Sequence, residues 1–207
     1  MDTRGEEGFR EVEHECCPKL PSGDLWVFGY GSLMWDPGFD YVRSQPALLR
    51  GYHRAFCVTS TRYRGTPERP GLVLGLDRGG SCRGIAFLVP DANVEPVLHA
   101  LWEREMPGRV YSPRVVSIDL GGARASALTF VADRGQDGYM GRLEVDEMAR
   151  TIADCSGARG PNADYLFNTL RHLDAAGIRE RRLYALARAV QALQKPRTHT
   201  PERGCER

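Results

Sequence analysis

Long apolar runs are missing from this chain. No stretch approaches the ~18 consecutive apolar residues of a membrane-spanning helix, and nothing near Met1 resembles a charged start followed by an apolar segment. Neither a membrane span nor an export signal is expected, which favours the cytoplasm. An excess of charge is missing as well: Lys and Arg number 28 against 27 Asp and Glu, for a formal net charge of +1. No global field therefore draws the chain to nucleic acid or to an acidic lipid surface. The cysteines, Cys16, Cys17, Cys57, Cys82, Cys155 and Cys205, lack the repeated C-x-x-C spacing of a zinc site. They read as scattered thiols kept reduced in a cytoplasm. His53, His99 and His172 lack the i, i+4 pairing of a zinc helix, so no metal is expected. No internal repeat of fixed period is present either.

At 207 residues the chain is long enough for one domain with a real hydrophobic core and short for two. Residues 1–23 are charged and aperiodic, while 195–207 are polar and interrupted by Pro196, Pro201 and Gly204. Both segments are expected to be tails around a single domain at 24–194. Strand-like stretches occupy 25–30, 47–60, 71–76, 83–89, 110–120 and 123–131. Turn signals separate them, among them Arg78-Gly79-Gly80 and Gly121-Gly122. Helical periodicity marks 93–106, 145–155, 162–176 and 179–193, the last two broken at Gly177. With strands mostly first and helices mostly last, the fold class is α+β, its strands forming one curved sheet or barrel.

Two features carry chemistry. The first is Trp26-Val27-Phe28-Gly29-Tyr30-Gly31-Ser32-Leu33, an apolar strand running into a loop with two glycines one residue apart. Glycine permits positive φ and close approach of a ligand, so successive N–H groups can converge on an oxygen anion. The third glycine of a dinucleotide fingerprint is absent, and so is the Lys-Ser/Thr of a phosphate-binding loop. A plain structural turn accounts for paired glycines as readily as a binding loop does.

The second feature is the helix over 93–106. Val94, Val97, Leu98 and Leu101 repeat at helical spacing, with Asn93 as the expected N-cap and Pro96 in the tolerant first turn. Continuing the spacing gives Trp102 and then Glu105, while Glu103 and Arg104 are expected to turn away. Pro107 ends the helix, so Glu105 falls in its last turn, on the apolar face and at the negative end of the dipole. Burial and dipole both raise a carboxyl pKa, as suits a base that later returns its proton. On spacing alone, a helix-terminal Glu paired with Arg104 or Arg109 is an equal reading.

Gly29-Tyr30-Gly31-Ser32-Leu33 after an apolar strand, followed by Arg50-Gly51-Tyr52, resembles the opening of ChaC-type γ-glutamylcyclotransferases. Arg64-Gly65, Pro70-Gly71, Gly84, Arg104-Glu105, Tyr111, Gly138-Tyr139-Met140-Gly141 and Asn162 through Leu166 occur in that family's order. The resemblance runs over about residues 25–190. It implies a small β-barrel flanked by helices, glutathione as substrate, 5-oxoproline and cysteinylglycine as products, and no cofactor. It makes Glu105 the catalytic glutamate and Val27, Phe28, Gly29, Tyr30, Gly31, Ser32 and Leu33 the segment holding the γ-glutamyl group. Tyr111 and Tyr139 fall where the family has aromatic residues near the pocket. Met106-Pro107-Gly108-Arg109 replaces a glycine-pair segment found in many animal members.

In that reaction the donor's own α-amino group closes on its γ-carbonyl carbon, so the protein supplies a proton carrier, oxyanion donors and a grip on the α-carboxylate. For the grip the sequence offers Arg54 and Arg62, each able to meet a carboxylate with two bonds. Trp26, Trp35 and Trp102 could wall the pocket, with core packing the safer expectation. Cys57, in an apolar strand, reads as packing. Other γ-glutamyl amines as substrates, or a non-catalytic module sensing glutathione, remain compatible with these residues.

Overall fold

The computed structural model describes residues 18–194. The expected tails lie outside the described residues except for 18–23, which run as irregular chain to the first strand. Five strands close a barrel: β1 Leu25–Gly29, β2 Arg43–Ser60, β3 Gly71–Val89, β4 Tyr111–Asp119 and β5 Arg124–Ala132. Their order around the barrel is β1-β3-β2-β4-β5, closed by β1 running parallel to β5. Closure leaves this barrel no open edge to attract another strand.

β3 makes that closure. Along its length it pairs antiparallel with β2, and its last five residues also pair with β1, from Ile85↔Gly29 to Val89↔Leu25. The expectation of two strands divided by a turn at Arg78-Gly79-Gly80 is therefore corrected. Gly79 and Gly80 have φ of 97° and 72°, but they lie within one continuous strand, opposite the register shift at Gly51 in β2. The local signature of a turn and of a bulge is the same: positive φ, which glycine supplies cheaply.

Among the described residues four α-helices surround the barrel: α1 Val94–Glu105, α2 Val145–Asp154, α3 Asn162–Ala175 and α4 Arg181–Gln194. The class is α+β, as expected, and all four helices lie where the periodicity puts them. A two-residue hairpin, β6 Ser156–Gly157 with β7 Gly160–Pro161, joins α2 to α3. Gly177 ends α3 in a left-handed conformation, with Gly177 N–H donating to Asp174 O and Ile178 N–H to Leu173 O, the paired bonds of a Schellman cap. No helix among the described residues is long and apolar enough to cross a membrane.

Of three apolar clusters among the described residues, the two larger organise the interior. One joins β2 and β3 to α2, α3 and α4 through Phe56, Leu72, Leu74, Ile152, Leu166 and Leu186. The other seats α1 on β1 and β5, with Val97, Leu101 and Trp102 against Val27, Leu128 and Phe130. Each such side chain stabilises the fold by about 1.5–3 kcal/mol when fully buried, which fixes the roll of α1 about its axis. Asn93 makes no side-chain cap; it closes a short 3₁₀ turn, Asp91–Asn93, that leads into α1. The start of α3 is fastened separately: Asn162 Nδ2 donates to Leu72 O and Leu72 N–H donates to Asn162 Oδ1, both at 2.7 Å.

Candidate active site

β1 and β5 are parallel, so they finish at the same end of the barrel, where β4 begins. At that end a small cavity opens between these two apolar clusters. One wall is Tyr30, Gly31, Ser32 and Leu33, the loop after β1; Leu74, Tyr111 and Phe130 come from the barrel, Tyr165 from α3 and Glu105 from the end of α1. Ser32–Met34 form a 3₁₀ turn whose first internal bond runs from Met34 N–H to Gly31 O at 2.9 Å. The N–H groups of Ser32 and Leu33 precede that bond and have no acceptor within the turn.

Glu105 is placed by the packing of its own helix. Trp102, one turn earlier, is 4% exposed and meets Phe130 edge-on at 5.5 Å. That anchoring carries the last turn of α1 over the cavity, with the Glu105 side chain 17% exposed. Burial pushes its carboxyl pKa up, and Arg104, with a smaller contribution from Arg159, pulls against that without reversing it. Arg104 does not turn away, contrary to the sequence expectation. Its Nε lies 3.2 Å from Glu105 Oε1, and its two terminal nitrogens donate to Asp36 O at 2.6 Å and Ser32 Oγ at 2.8 Å. Because Ser32 Oγ accepts from Arg104, its own proton is free to be donated elsewhere.

Three tyrosines share this space. Desolvation raises the pKa of Tyr30 and Tyr111 well above the ordinary phenol value and that of Tyr165 to about 12; the Glu105 charge adds to each. All three remain protonated near neutrality. Tyr111 Oη donates to Leu74 O at 2.7 Å. Among the described residues no group of three His, Cys, Asp or Glu side chains is arranged to hold a metal.

The model of a family described as ChaC-like protein matches residues 25–193. The chain belongs to the ChaC-like family. It is 38% identical over 172 residues to a glutathione-specific γ-glutamylcyclotransferase of Escherichia coli (strain K12), covering 83% of this chain and 74% of that protein. It is 34% identical over 195 residues to glutathione-specific γ-glutamylcyclotransferase 1 of Mus musculus, covering 89% of this chain and 87% of that protein. The crystal structure of a γ-glutamylcyclotransferase specific to glutathione from yeast superposes with a TM-score of 0.77 at 22% identity, over 86% of this chain and all of that one, and so shares the fold.

Within this ChaC-like barrel the residues expected at the site divide. Tyr30, Gly31, Ser32, Leu33, Tyr111 and Glu105 meet at the cavity. Val27, Phe28 and Gly29 do not line it; they lie beneath the loop, fully buried in the β1–β3 ladder. Thr129 Oγ1 donates to Phe28 O at 2.9 Å there. Neither Gly29 nor Gly31 has positive φ. What Gly29 provides is space: a Cβ on it would stand 3.1 Å from Leu33 Cβ.

Arg54 is not available to grip a substrate. Its side chain is wholly buried and its donors are taken: Nε by Tyr30 O at 2.5 Å, one terminal nitrogen by the Glu180 carboxylate and the other by Arg83 O at 2.7 Å. It is a strut under the loop. Tyr139 also stands away from the cavity lining, its hydroxyl donating to Asp77 Oδ2 at 3.0 Å beside the Asp77–Arg134 ion pair. Trp102 packs in the core and Trp35 stacks on His172 at 4.6 Å, so neither lines the cavity. Cys57 is buried with its thiol pKa raised to about 12 by desolvation, an inert packing residue. Tyr165, Leu74 and Phe130 line the cavity without having been singled out; only the position of Tyr165 in the first turn of α3 offered a hint.

Proposed function

We propose that this chain is a glutathione-specific γ-glutamylcyclotransferase, with Glu105 carrying the proton that the reaction moves. The α-amino nitrogen of the γ-glutamyl group attacks its own γ-carbonyl carbon, a five-membered lactam closes, and the amide C–N bond to cysteine breaks. The products are 5-oxoproline and cysteinylglycine. Glu105 accepts a proton from the attacking amine and returns it to the leaving nitrogen, so the carboxyl ends as it began. One observation carries this reading: a carboxyl with a raised pKa on the wall of a small cavity, facing the loop Tyr30–Leu33. The names of the curated relatives give the substrate.

The rest of the site suits this chemistry. Ser32 and Leu33 N–H groups and the Ser32 hydroxyl are donors for oxygen atoms of the γ-glutamyl group, held in place by the Arg104 and Arg54 contacts. Donors fixed before the reaction stabilise a developing oxyanion by about 10²–10³-fold, and positioned proton transfer adds ~10²–10⁴-fold. Confining the flexible glutamyl chain in a small cavity favours the cyclising conformer. Cys57, Cys82 and Cys155 are free thiols, in keeping with a reducing cytoplasm as the site of action.

The test is direct. Purified protein incubated with glutathione is expected to release 5-oxoproline and cysteinylglycine, detected by mass spectrometry, while Glu105→Gln releases them at least ~10²-fold more slowly. Equal turnover by the variant would remove Glu105 from the mechanism. No 5-oxoproline from the unaltered chain would remove the reaction.

A further inference from the structure

The segment that follows β2 and the small β6–β7 hairpin are zipped together. Ala158 N–H donates to Arg62 O at 2.9 Å and Arg159 N–H to Tyr63 O at 3.0 Å. Gly157 allows the contact, because a Cβ there would stand 2.6 Å from the Tyr63 carbonyl carbon and 2.7 Å from Gly65 N. The result is that two guanidinium groups come together beside the cavity. Arg64 lies 5.5 Å over the ring of Tyr165, a cavity-lining residue, and one of its terminal nitrogens donates to Arg159 O at 2.7 Å and Pro161 O at 3.0 Å. Arg159 lies 4.5 Å over the ring of Tyr63.

Among the described residues neither arginine forms an ion pair. Desolvation lowers the Arg64 pKa, Tyr165 and then Asp164 pull the other way, and the neighbouring Arg159 charge lowers it further. Arg64 is half-buried, and holding the Arg159 charge beside it with no carboxylate bridging the two favours an anion that joins them. A planar guanidinium held on an aromatic face keeps its remaining N–H groups in the fork that matches a carboxylate. Arg159 is exposed and so is open to such a ligand.

We propose that Arg64 and Arg159 form a clamp for the C-terminal carboxylate of the leaving dipeptide, selecting γ-glutamyl substrates that end in a free carboxylate. This rests on the glutathione reading above. Glutathione carries two carboxylates. The one on the α-carbon travels with the reacting amine, which must reach Glu105 inside the cavity; the glycyl carboxylate is at the opposite end of the molecule and meets the arginines outside. Its charge does not change during cyclisation, so the clamp contributes equally to bound substrate and transition state. At a pH above the acidic limb of the profile, where the small influence of Arg159 on the Glu105 pKa no longer counts, its loss raises KM and leaves kcat nearly unchanged.

The experiment measures kcat and KM from 5-oxoproline release with glutathione and with its glycyl ethyl ester, for the unaltered chain, Arg159→Gln and Arg159→Lys. A thermal melt of each establishes that it is folded. The unaltered chain is expected to prefer glutathione over the ester by about 10-fold in kcat/KM, the scale of one charged hydrogen bond. Arg159→Gln is expected to erase that preference by raising KM for glutathione alone, and Arg159→Lys to restore part of it. Equal losses on both substrates would assign the arginine to the α-carboxylate and overturn the proposal, as would no loss on either. Should the unaltered chain release no 5-oxoproline, the reaction assignment fails by itself. Calorimetric binding of glutathione against the ester then decides the clamp: weaker binding of the ester, abolished by Arg159→Gln, supports it, and equal binding ends it.

Discussion

The Nε of Arg104 lies 3.2 Å from Oε1 of Glu105, its neighbour in sequence, and the same guanidinium holds Ser32 Oγ at 2.8 Å. One cation thus ties the proposed proton carrier to the loop across the cavity. It also lowers the Glu105 pKa against the larger effect of burial. Replacing Arg104 by Met removes the larger opposing influence, so the Glu105 pKa rises further. The acidic limb of kcat/KM against pH is therefore expected to move to higher pH in Arg104→Met. An unmoved limb would mean that a different group sets it.

Glu105→Gln is expected to lose activity without losing stability. The folded pKa lies above the reference value of 4.5, so the fold favours the neutral carboxyl. That contribution is fully present below the unfolded-state pKa and is lost as pH rises through the folded value. Above the window the buried charge is a liability that an amide removes. At pH 7 the variant should melt at or above the temperature of the unaltered chain, the usual trade between activity and stability at a working site. Thermal melts at pH 4 and pH 7 check the sign: the difference between the two proteins should grow with pH.

The position of Glu105 was legible because Val97, Leu101 and Trp102 give α1 a roll, and residue 105 lies one turn beyond the last two. The behaviour of Arg104 was not, since a long side chain at a helix end can reach back along a loop whatever direction its Cα–Cβ bond takes. Strand boundaries were readable from apolar content and turn residues, but Gly79-Gly80 looked like a turn because the pairing that makes it a bulge involves residues 50–53 of β2. Arg54 was misplaced for the same reason of distance. Its partner, Glu180, is 126 residues away, and nothing local says which acid a buried arginine will meet. Tyr165 reaches the cavity from a helix whose head Asn162 fastens to β3, a contact between segments 90 residues apart.

The Arg54–Glu180 pair makes its own prediction. The Arg54 side chain is fully buried and Glu180 is 24% exposed, so Glu180→Ala strands a charge in the interior and should destabilise the fold by about 3 kcal/mol, the lower end for a broken buried pair. Denaturant midpoints measure this. Because Arg54 also holds the Tyr30 carbonyl, kcat/KM should fall even where the variant is fully folded. A destabilised variant with unchanged kcat/KM would show that the strut supports the barrel and not the loop.

Asn162 tests whether the cavity depends on the docking of α3. Its amide completes a two-bond exchange with the Leu72 backbone, donating from Nδ2 and accepting at Oδ1 at 2.7 Å each, at a site that is fully buried. Asn162→Ala leaves the Leu72 N–H and C=O without these partners, and a buried unsatisfied polar group costs about 1–3 kcal/mol. Tyr165 is three residues along the same helix, so loosening this end should shift Tyr165 against Gly31, where a Cβ would stand 3.6 Å from the hydroxyl. The expected outcome is a lower melting temperature together with a raised KM for glutathione. A lower melting temperature alone would leave the head of α3 a matter of stability and remove Tyr165 from the binding wall.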